Sequence, residues 1–189
     1  MMASHMPTLY HFSEDASIEV FHPRTMPHRP EIKIPLVWAI EVERQYMYLF
    51  PRDCPRVLLW PTETTTEADR DAFFHHSDAC AIAYVEYAWL DRLRTTTSYR
   101  YLMPPETFED LDEAGMWVSR QTVTPSGVAA IEDLPAALLD AGVELRVTDR
   151  LTPLYGLWET TTLHWSAIRM SNAQDWAPLP STAPARLGP

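Results

Sequence analysis

The stretch from Pro35 to Trp60, PLVWAIEVERQYMYLFPRDCPRVLLW, constrains the fold of this chain more than any other. It contains two apolar runs typical of strands, at 36–40 and 56–60, and a turn rich in proline and arginine precedes the second run. Arginine and aromatic residues alternate here more densely than elsewhere in the sequence. We therefore expect this stretch to supply both core strands and part of a binding site.

The rest of the chain alternates strand-like runs with short helical patterns. Strands are predicted at 8–12, 81–87, 99–103, 117–124, 128–131 and 143–147, and short helices after Ser13, Thr66, Pro105 and Asp133. This pattern predicts an α+β fold: a single compact domain over 7–172, with a central mixed, largely antiparallel β-sheet and short flanking helices. Residues 1–6 are expected to be a cloning scar, and the proline-rich tail 173–189 is expected to be disordered.

Composition argues against several classes of function. A formal net charge of −11 disfavours a broad surface for nucleic acid. The sequence has no run of about 18 apolar residues and no evident signal peptide, so we expect no membrane association. Cys54 and Cys80 form no CxxC pair, which indicates a reducing, cytoplasmic setting. No metal site is predicted, because His75 and His76 lack the ligand spacing of a zinc set.

Arg52 and Arg56 flank Cys54 in the turn. Because Pro55 biases Cys54 toward extended geometry, all three side chains are expected to point to one side. Two guanidinium groups placed there would bind an anionic small molecule. The alternative is that each arginine pairs with one of the 26 acidic residues and that Cys54 is a small buried hydrophobe.

Three residues on predicted strands are further candidates for ligand binding. His11 on the first strand would contact a ligand through its imidazole, or else be a core histidine bonded to a backbone carbonyl. Trp117 is a candidate pocket wall. Trp38 is a weaker candidate, since a tryptophan in such an apolar strand more often belongs to the core.

Glu86 lies in an apolar strand, where a buried carboxylate needs a partner. The expected partner is Arg52, Arg56 or Arg100. Alternatively, Glu86 is the acid that a transferase directs at a ribose, which makes it a weak catalytic candidate.

Phrases spread over about 9–172, among them LYHFSEDASIEVFHPR, PLVWAI, LFPRDCPR, GMWVSR and IRMSNA, resemble an uncharacterised bacterial family, a domain of unknown function. More weakly, the order of elements is similar to ADP-ribosyltransferase-like folds. That likeness implies nicotinamide adenine dinucleotide (NAD) as a ligand. His11 would hold the dinucleotide, Trp38 or Tyr48 would pack the nicotinamide, and Glu86 or Glu106 would address the ribose.

The sequence therefore favours a cytoplasmic protein that binds a nucleotide-like anionic small molecule, with Arg52 or Arg56 on the pyrophosphate if the weaker likeness holds. The expected cleft is formed by the first strand, the loop 22–35 and the bend 50–56. Whether the protein is also an enzyme is left open. The alternative is a non-enzymatic protein-interaction domain that docks through exposed tryptophans.

Overall fold

A computed structural model describes residues 6–26 and 32–177 of the chain. Parts of the predicted cloning scar, of the loop 22–35 and of the proline-rich tail, namely 1–5, 27–31 and 178–189, lie outside the described residues. The chain divides into two compact units, and each contains its own β-sheet. The first unit comprises residues up to Arg52 together with 91–141, and the second comprises 53–90 together with the residues from Gly142 onward.

Ten strands and three α-helices are described. In chain order they are β1 (Leu9–Ser13), β2 (Val37–Glu41), β3 (Arg56–Trp60), α1 (Glu67–Phe74), β4 (Ala81–Glu86), α2 (Leu90–Thr95), β5 (Ser98–Met103), β6 (Phe108–Asp110), β7 (Met116–Ser119), β8 (Gly127–Ile131), α3 (Leu134–Asp140), β9 (Val143–Thr148) and β10 (His164–Ile168). Short 3₁₀ segments lie at Val42–Tyr48, Tyr87–Trp89, Pro105–Thr107, Thr152–Leu154, Leu157–Glu159 and Met170–Asn172.

The first unit is built on a six-stranded antiparallel sheet with the order β6-β7-β2-β1-β5-β8. Apolar residues from one face of this sheet form its core: Leu9, Val37, Ala39, Tyr101, Met103 and Phe108. Phe21 and Val123 complete the core from segments outside the sheet, and they exchange both backbone hydrogen bonds, at 2.8 and 2.9 Å. Each fully buried side chain of this size contributes roughly 1.5–3 kcal/mol to folding. The segment that carries Phe21 is therefore fixed over the sheet.

The second unit is built on a four-stranded sheet with the order β10-β3-β4-β9, in which β4 and β9 run parallel. All five residues of β3 are buried, as expected for a strand in the middle of a sheet. The predicted cap of α1 is confirmed, since Thr66 Oγ1 accepts a hydrogen bond from the Asp69 amide at 3.2 Å. Phe74 at the end of α1 packs on Leu59 and Ile82 of the sheet.

Three tryptophans of the second unit contact one another. We call Tyr155, Trp158, Trp165 and Trp176 the aromatic cluster. Trp158 and Trp165 stack with ring centroids 4.9 Å apart, and Tyr155 lies 5.0 Å from Trp176. Trp165 is exposed. The aromatic cluster thus draws the first residues of the predicted tail onto the second unit.

The α+β class, with largely antiparallel strands and short helices, is confirmed, and the strands are divided between two sheets. Two predicted helices are wrong. The helix expected from Pro105 gives way to β6, because Phe108 packs into the core while its strand pairs with β7. The helix expected after Ser13 is replaced by an irregular segment. There Asp15 Oδ1 accepts hydrogen bonds from both the amide and the hydroxyl of Ser17, and such local bonds compete with a helical ladder.

Within residues 6–26 and 32–177, no helix is long and apolar enough to cross a membrane.

Candidate functional site

His11 lies where the pairing between β1 and β2 stops. The two strands pair at Leu9 with Glu41 and at Tyr10 with Ile40, and His11 is the next residue of β1. Its Nδ1 lies 2.8 Å from the carbonyl oxygen of Trp38. Because a carbonyl oxygen only accepts hydrogen bonds, Nδ1 must carry a proton. In the neutral ring, Nε2 is then a hydrogen-bond acceptor.

His11 is held in its neutral form. Burial lowers the pKa of the imidazole below its ordinary value, and the charges of Arg52 and Arg24 lower it further. The hydrogen bond to the Trp38 carbonyl acts in the opposite direction but does not offset burial. At neutral pH the site therefore presents an uncharged imidazole that is under the electrostatic influence of two cations.

Residues 15–21, which we call the covering segment, hold the His11 ring against the sheet. The Phe21 ring lies 4.6 Å from the imidazole, and it contacts Tyr101 edge-on at 5.2 Å. The Tyr101 hydroxyl donates to the Asp15 carbonyl at 2.6 Å and accepts from the Ile18 amide at 3.2 Å. Tyr101 therefore anchors the segment that covers His11.

The two cations that act on His11 come from the ends of two loops of the first unit. Arg24 exchanges both backbone hydrogen bonds with Leu36, each at 3.0 Å, and its exposed side chain makes no ion pair with another described residue. Arg52 is exposed as well, and its amide donates to Glu14 Oε1 at 2.8 Å. Glu14 is tied in turn to Arg92 at 3.6 Å. Backbone bonds thus fix both loops and leave both guanidinium groups at the surface.

The aromatic candidates lie on different faces of the first sheet. Trp117 pairs with Ala39 and packs on the core that His11 borders. Trp38 is next to Ala39 in β2, so the alternation of side chains places its ring on the opposite face. Tyr48 stacks on Phe12, with centroids 6.3 Å apart. His11 and Trp117 therefore share a face, and Trp38 contributes its carbonyl rather than its ring.

Residues 10–173 match the model of a family described as a family of unknown function, DUF6886. The chain belongs to the DUF6886 family. This confirms the predicted membership of a family of unknown function, and the match spans nearly all the described residues of both units. No curated protein and no solved structure matches the DUF6886 chain. The likeness to ADP-ribosyltransferase-like folds and a bacterial origin stay predictions.

Arg56 of the DUF6886 chain lies in its second unit and is 3 % exposed. Its Nη1 donates to the Cys54 carbonyl at 3.0 Å, and Cys54 is buried too. Arg52, by contrast, is exposed. The three side chains of this turn therefore do not present the common surface that the sequence pattern suggested.

Glu86 also lies in the second unit, 2 % exposed. Its Oε1 accepts hydrogen bonds from the amides of Leu151 and Gln174, at 3.3 and 2.9 Å. Within the described residues these amides, rather than the predicted arginine, satisfy the carboxylate. Arg100 instead bonds the Gln45 side chain at 2.8 Å. This geometry gives Glu86 a structural role that holds two segments of the second unit together.

Glu106, the other acid suggested for a ribose, is exposed in the 3₁₀ segment Pro105–Thr107. Neither of the two acids suggested by the sequence of the DUF6886 chain is thus assigned to catalysis.

Sequence reasoning missed Arg24 and Tyr101. Arg24 lies in the loop 22–35, which was expected to border the site, but the bridge to Leu36 that orients it is a tertiary contact. Tyr101 lies on a predicted strand, and nothing in the local pattern marks its hydroxyl as an anchor. The sequence offered only the positions of these residues, one in a loop expected to border the site and one on a predicted strand. Their nearness to His11 arises only when the sheet has formed.

The described residues include no group of three or more histidine, cysteine or acidic side chains placed to hold a metal ion. Two surface hollows of about 390 Å³ each lie in the second unit, one along the end of α1 and the other along 148–153. In the second hollow the charge of Arg150 is paired with Asp149 and Asp175. The chemistry around His11, and not cavity volume, therefore locates the candidate site.

Proposed function

We propose that this DUF6886 protein binds a nucleotide-like anionic small molecule at His11, with Arg24 and Arg52 supplying the positive charge. The observation that carries the proposal is the state of His11. Its Nδ1 is bonded to a backbone carbonyl, and burial and two neighbouring cations keep the ring neutral. Nε2 is thus an acceptor in the neutral ring, and the charges of Arg24 and Arg52 make its surroundings favourable for an anion.

A ligand that satisfies this arrangement needs two kinds of group. A hydroxyl, such as that of a sugar, donates to Nε2, and a phosphate is attracted by the arginines, whose planar groups suit phosphate oxygens. Trp117 lies on the same face and supports a stacking contact with a base. A sugar phosphate or a nucleotide therefore fits better than a simple anion.

NAD is the first nucleotide to test, because the order of elements is similar to ADP-ribosyltransferase-like folds. Enzymatic activity is not part of the proposal, since Glu86 is satisfied by backbone amides. The proposed setting is the cytoplasm. Support for this comes from Cys54 and Cys80, which remain thiols rather than a disulfide.

The test is a thermal-shift series against NAD, ADP-ribose, AMP, ribose 5-phosphate, pyrophosphate and sulfate, with nicotinamide release from NAD measured in parallel. A ligand at about 100 times its Kd stabilises the folded state by roughly 2.7 kcal/mol. That free energy raises the Tm by several degrees. We expect the four compounds with both a hydroxyl and a phosphate to raise the Tm more than pyrophosphate or sulfate does.

Variants then assign the binding to this site. Arg24→Met and Arg52→Met should each weaken binding by tenfold or more, the equivalent of about 1.4 kcal/mol. Arg120→Met is the matched control, since Arg120 is an exposed arginine of the same unit whose only described ion pair is with Glu109, at 3.9 Å. His11→Asn distinguishes the roles of the two ring nitrogens. The Asn amide replaces the Nδ1 donor to the Trp38 carbonyl but offers no acceptor in place of Nε2.

The expected result for His11→Asn is a Tm without ligand within a few degrees of the wild-type value and a loss of selectivity for hydroxylated phosphates. The proposal is overturned if no compound raises the Tm, or if Arg24→Met and Arg52→Met bind as Arg120→Met does. The protein-interaction alternative would then take its place. The aromatic cluster of the second unit, in which Trp165 is exposed, is the observation that favours it.

A further inference from the structure

The strand β8, GVAAI, is an exposed edge strand of the first unit. It pairs with β5 on one side and ends the six-stranded sheet, so in the described part of the chain its other side has no strand partner. Residues 127–130 are exposed on both faces of the sheet, and Val128 is 53 % exposed. The strand contains no charged residue. An exposed, uncharged edge of this kind is a ready template for pairing with another strand.

Two other sheet edges are protected in the ways that natural proteins use. β6, at the opposite end of the same sheet, has three residues, and two of them are the acids Glu109 and Asp110. β9, an edge of the second sheet, carries Glu144 and Arg146, which form an ion pair at 2.6 Å. Short length and charge both discourage edge-to-edge pairing. β8 has neither protection.

We propose that β8 pairs with β8 of a second copy of this chain, antiparallel and centred on Ala129. A two-fold axis through Ala129 places Gly127 opposite Ile131 of the second copy and Val128 opposite Ala130. The interface uses the same strand from both copies, as two-fold symmetry requires. The two six-stranded sheets then continue into one another.

Side-chain size favours this register. A Cβ built on Gly127 meets nothing within 4 Å, and the neighbouring Leu102 is exposed. Ile131 of the second copy would lie across that open space and against Leu102. On the other face, Val128 meets the small side chain of Ala130. Each larger residue therefore faces a smaller one at the cross-strand distance of about 4.5–5.5 Å.

Charge is compatible with the same register. Glu132 of one copy lies opposite Ser126 of the other, and Asp133 lies opposite Pro125, so the ladder opposes no like charges. Each copy nevertheless has a net charge of −11, which repels the other at long range. Salt screens such repulsion, with a Debye length of about 10 Å at 0.1 M. The dimer should therefore become tighter as salt is added.

A cysteine scan tests the register directly. In the full chain carrying Cys80→Ser, Ala129→Cys places two thiols opposite each other across the axis, within reach of a disulfide. Ala130→Cys is the matched control, because its counterpart lies diagonally, about 7–8 Å away. On mild oxidation we expect a covalent dimer from Ala129→Cys and little from Ala130→Cys. Equal cross-linking of the two variants would overturn the register.

Sedimentation velocity tests the interface itself. We expect the wild-type chain to dimerise with rising concentration and more tightly with salt. Val128→Lys should raise the dimer dissociation constant by about tenfold or more, because the change enters the interface twice. Val147→Lys, at a 41 % exposed valine on the edge strand β9, should leave it unchanged. A monomer at every concentration and salt, or equal effects of the two lysines, would overturn the proposal. An unchanged Tm of Val128→Lys shows that the fold is intact.

Discussion

The imidazole Nδ1 of His11 lies 2.8 Å from the carbonyl oxygen of Trp38. β1 and β2 pair through Leu9 and Tyr10, and one residue further along β1 this side chain makes the contact between the strands. His11 thus has a structural role through one ring nitrogen and a proposed binding role through the other. The two roles can be measured separately.

The structural role predicts a difference between two substitutions. His11→Ala removes the donor to the Trp38 carbonyl and should cost about 1–3 kcal/mol, the usual penalty for an unsatisfied buried polar group. His11→Asn keeps a donor in the same place and should cost less than 1 kcal/mol. Urea unfolding measures both, from the midpoint at constant slope. Equal losses from the two variants would show that the bond to Trp38 does not stabilise the fold.

The pKa of His11 predicts how stability depends on pH. Because burial lowers the pKa of the folded imidazole, the unfolded chain binds more protons below about pH 6.5, the ordinary imidazole value. The contribution of His11 is therefore complete above about pH 6.5 and is lost as the pH falls toward the folded pKa. His11→Asn should flatten the stability curve as the pH falls below about 6.5.

Three acids set the lower limit of that pH window. Hydrogen bonds lower the pKa of Asp15, of Asp69 and of Glu144, and the donors are Ser17, Thr162 and Arg146 respectively. Their contributions are lost only as the pH falls below about 4.3 for the glutamate and about 3.9 for the aspartates, the ordinary values of these groups. If His11→Asn and wild type lose stability in parallel between pH 7 and 5, the imidazole does not govern that change.

The turn between β6 and β7 predicts a costly glycine substitution. Gly115 has φ +77°, and a Cβ there would lie 2.6 Å from Glu41 Oε1 and 2.8 Å from Arg44 Cγ. Gly156 has φ +80° with open space around it, so Gly156→Ala measures the backbone term alone, about 1–2 kcal/mol. Gly115→Ala should cost more, because Glu41 and Arg44 must also move. Thermal unfolding measures the loss of stability in both variants. Equal losses would mean that Glu41 and Arg44 move aside without a measurable free-energy cost.

Tyr101 predicts a coupling between stability and binding. Tyr101→Phe removes the hydroxyl that bonds Asp15 and Ile18, and it should cost about 1–3 kcal/mol. Tyr99→Phe is the control on the same strand, since the Tyr99 hydroxyl has no hydrogen bond among the described residues. If the covering segment orders the site, Tyr101→Phe should also weaken ligand binding. Unchanged binding would limit Tyr101 to a structural role.

Local pattern was enough to locate most strands. β3 was predicted to the residue, because its run RVLLW, apolar after Arg56, lies between Pro55 and Pro61, which stop it at both ends. The cap of α1 followed from Thr66 and Asp69 alone. The helix expected from Pro105 does not form. Burial of Phe108 in the core and the pairing of its strand with β7 outweigh the local helical signals.

The local sequence pattern could not predict which distant segments pair with each other. Alternation shows that Trp38 and Ala39 point to opposite faces, but only the finished sheet shows which face His11 shares. For the same reason the sequence did not show that Trp117 shares a face with His11, or that Arg56 is buried in the other unit. The electrostatic effect of Arg24 on His11 likewise depends on a bridge between two loops.

The parallel pairing of β4 with β9 has a consequence for synthesis of the protein. Val143, the first residue of β9, leaves the ribosome 57 residues after Glu86, the last residue of β4. At roughly 5–20 residues per second, the apolar strand AIAYVE waits about 3–11 s for its neighbour. During that time the second unit displays an incomplete sheet, so we expect a nascent chain arrested before residue 143 to recruit chaperones and a chain arrested beyond β10 to release them.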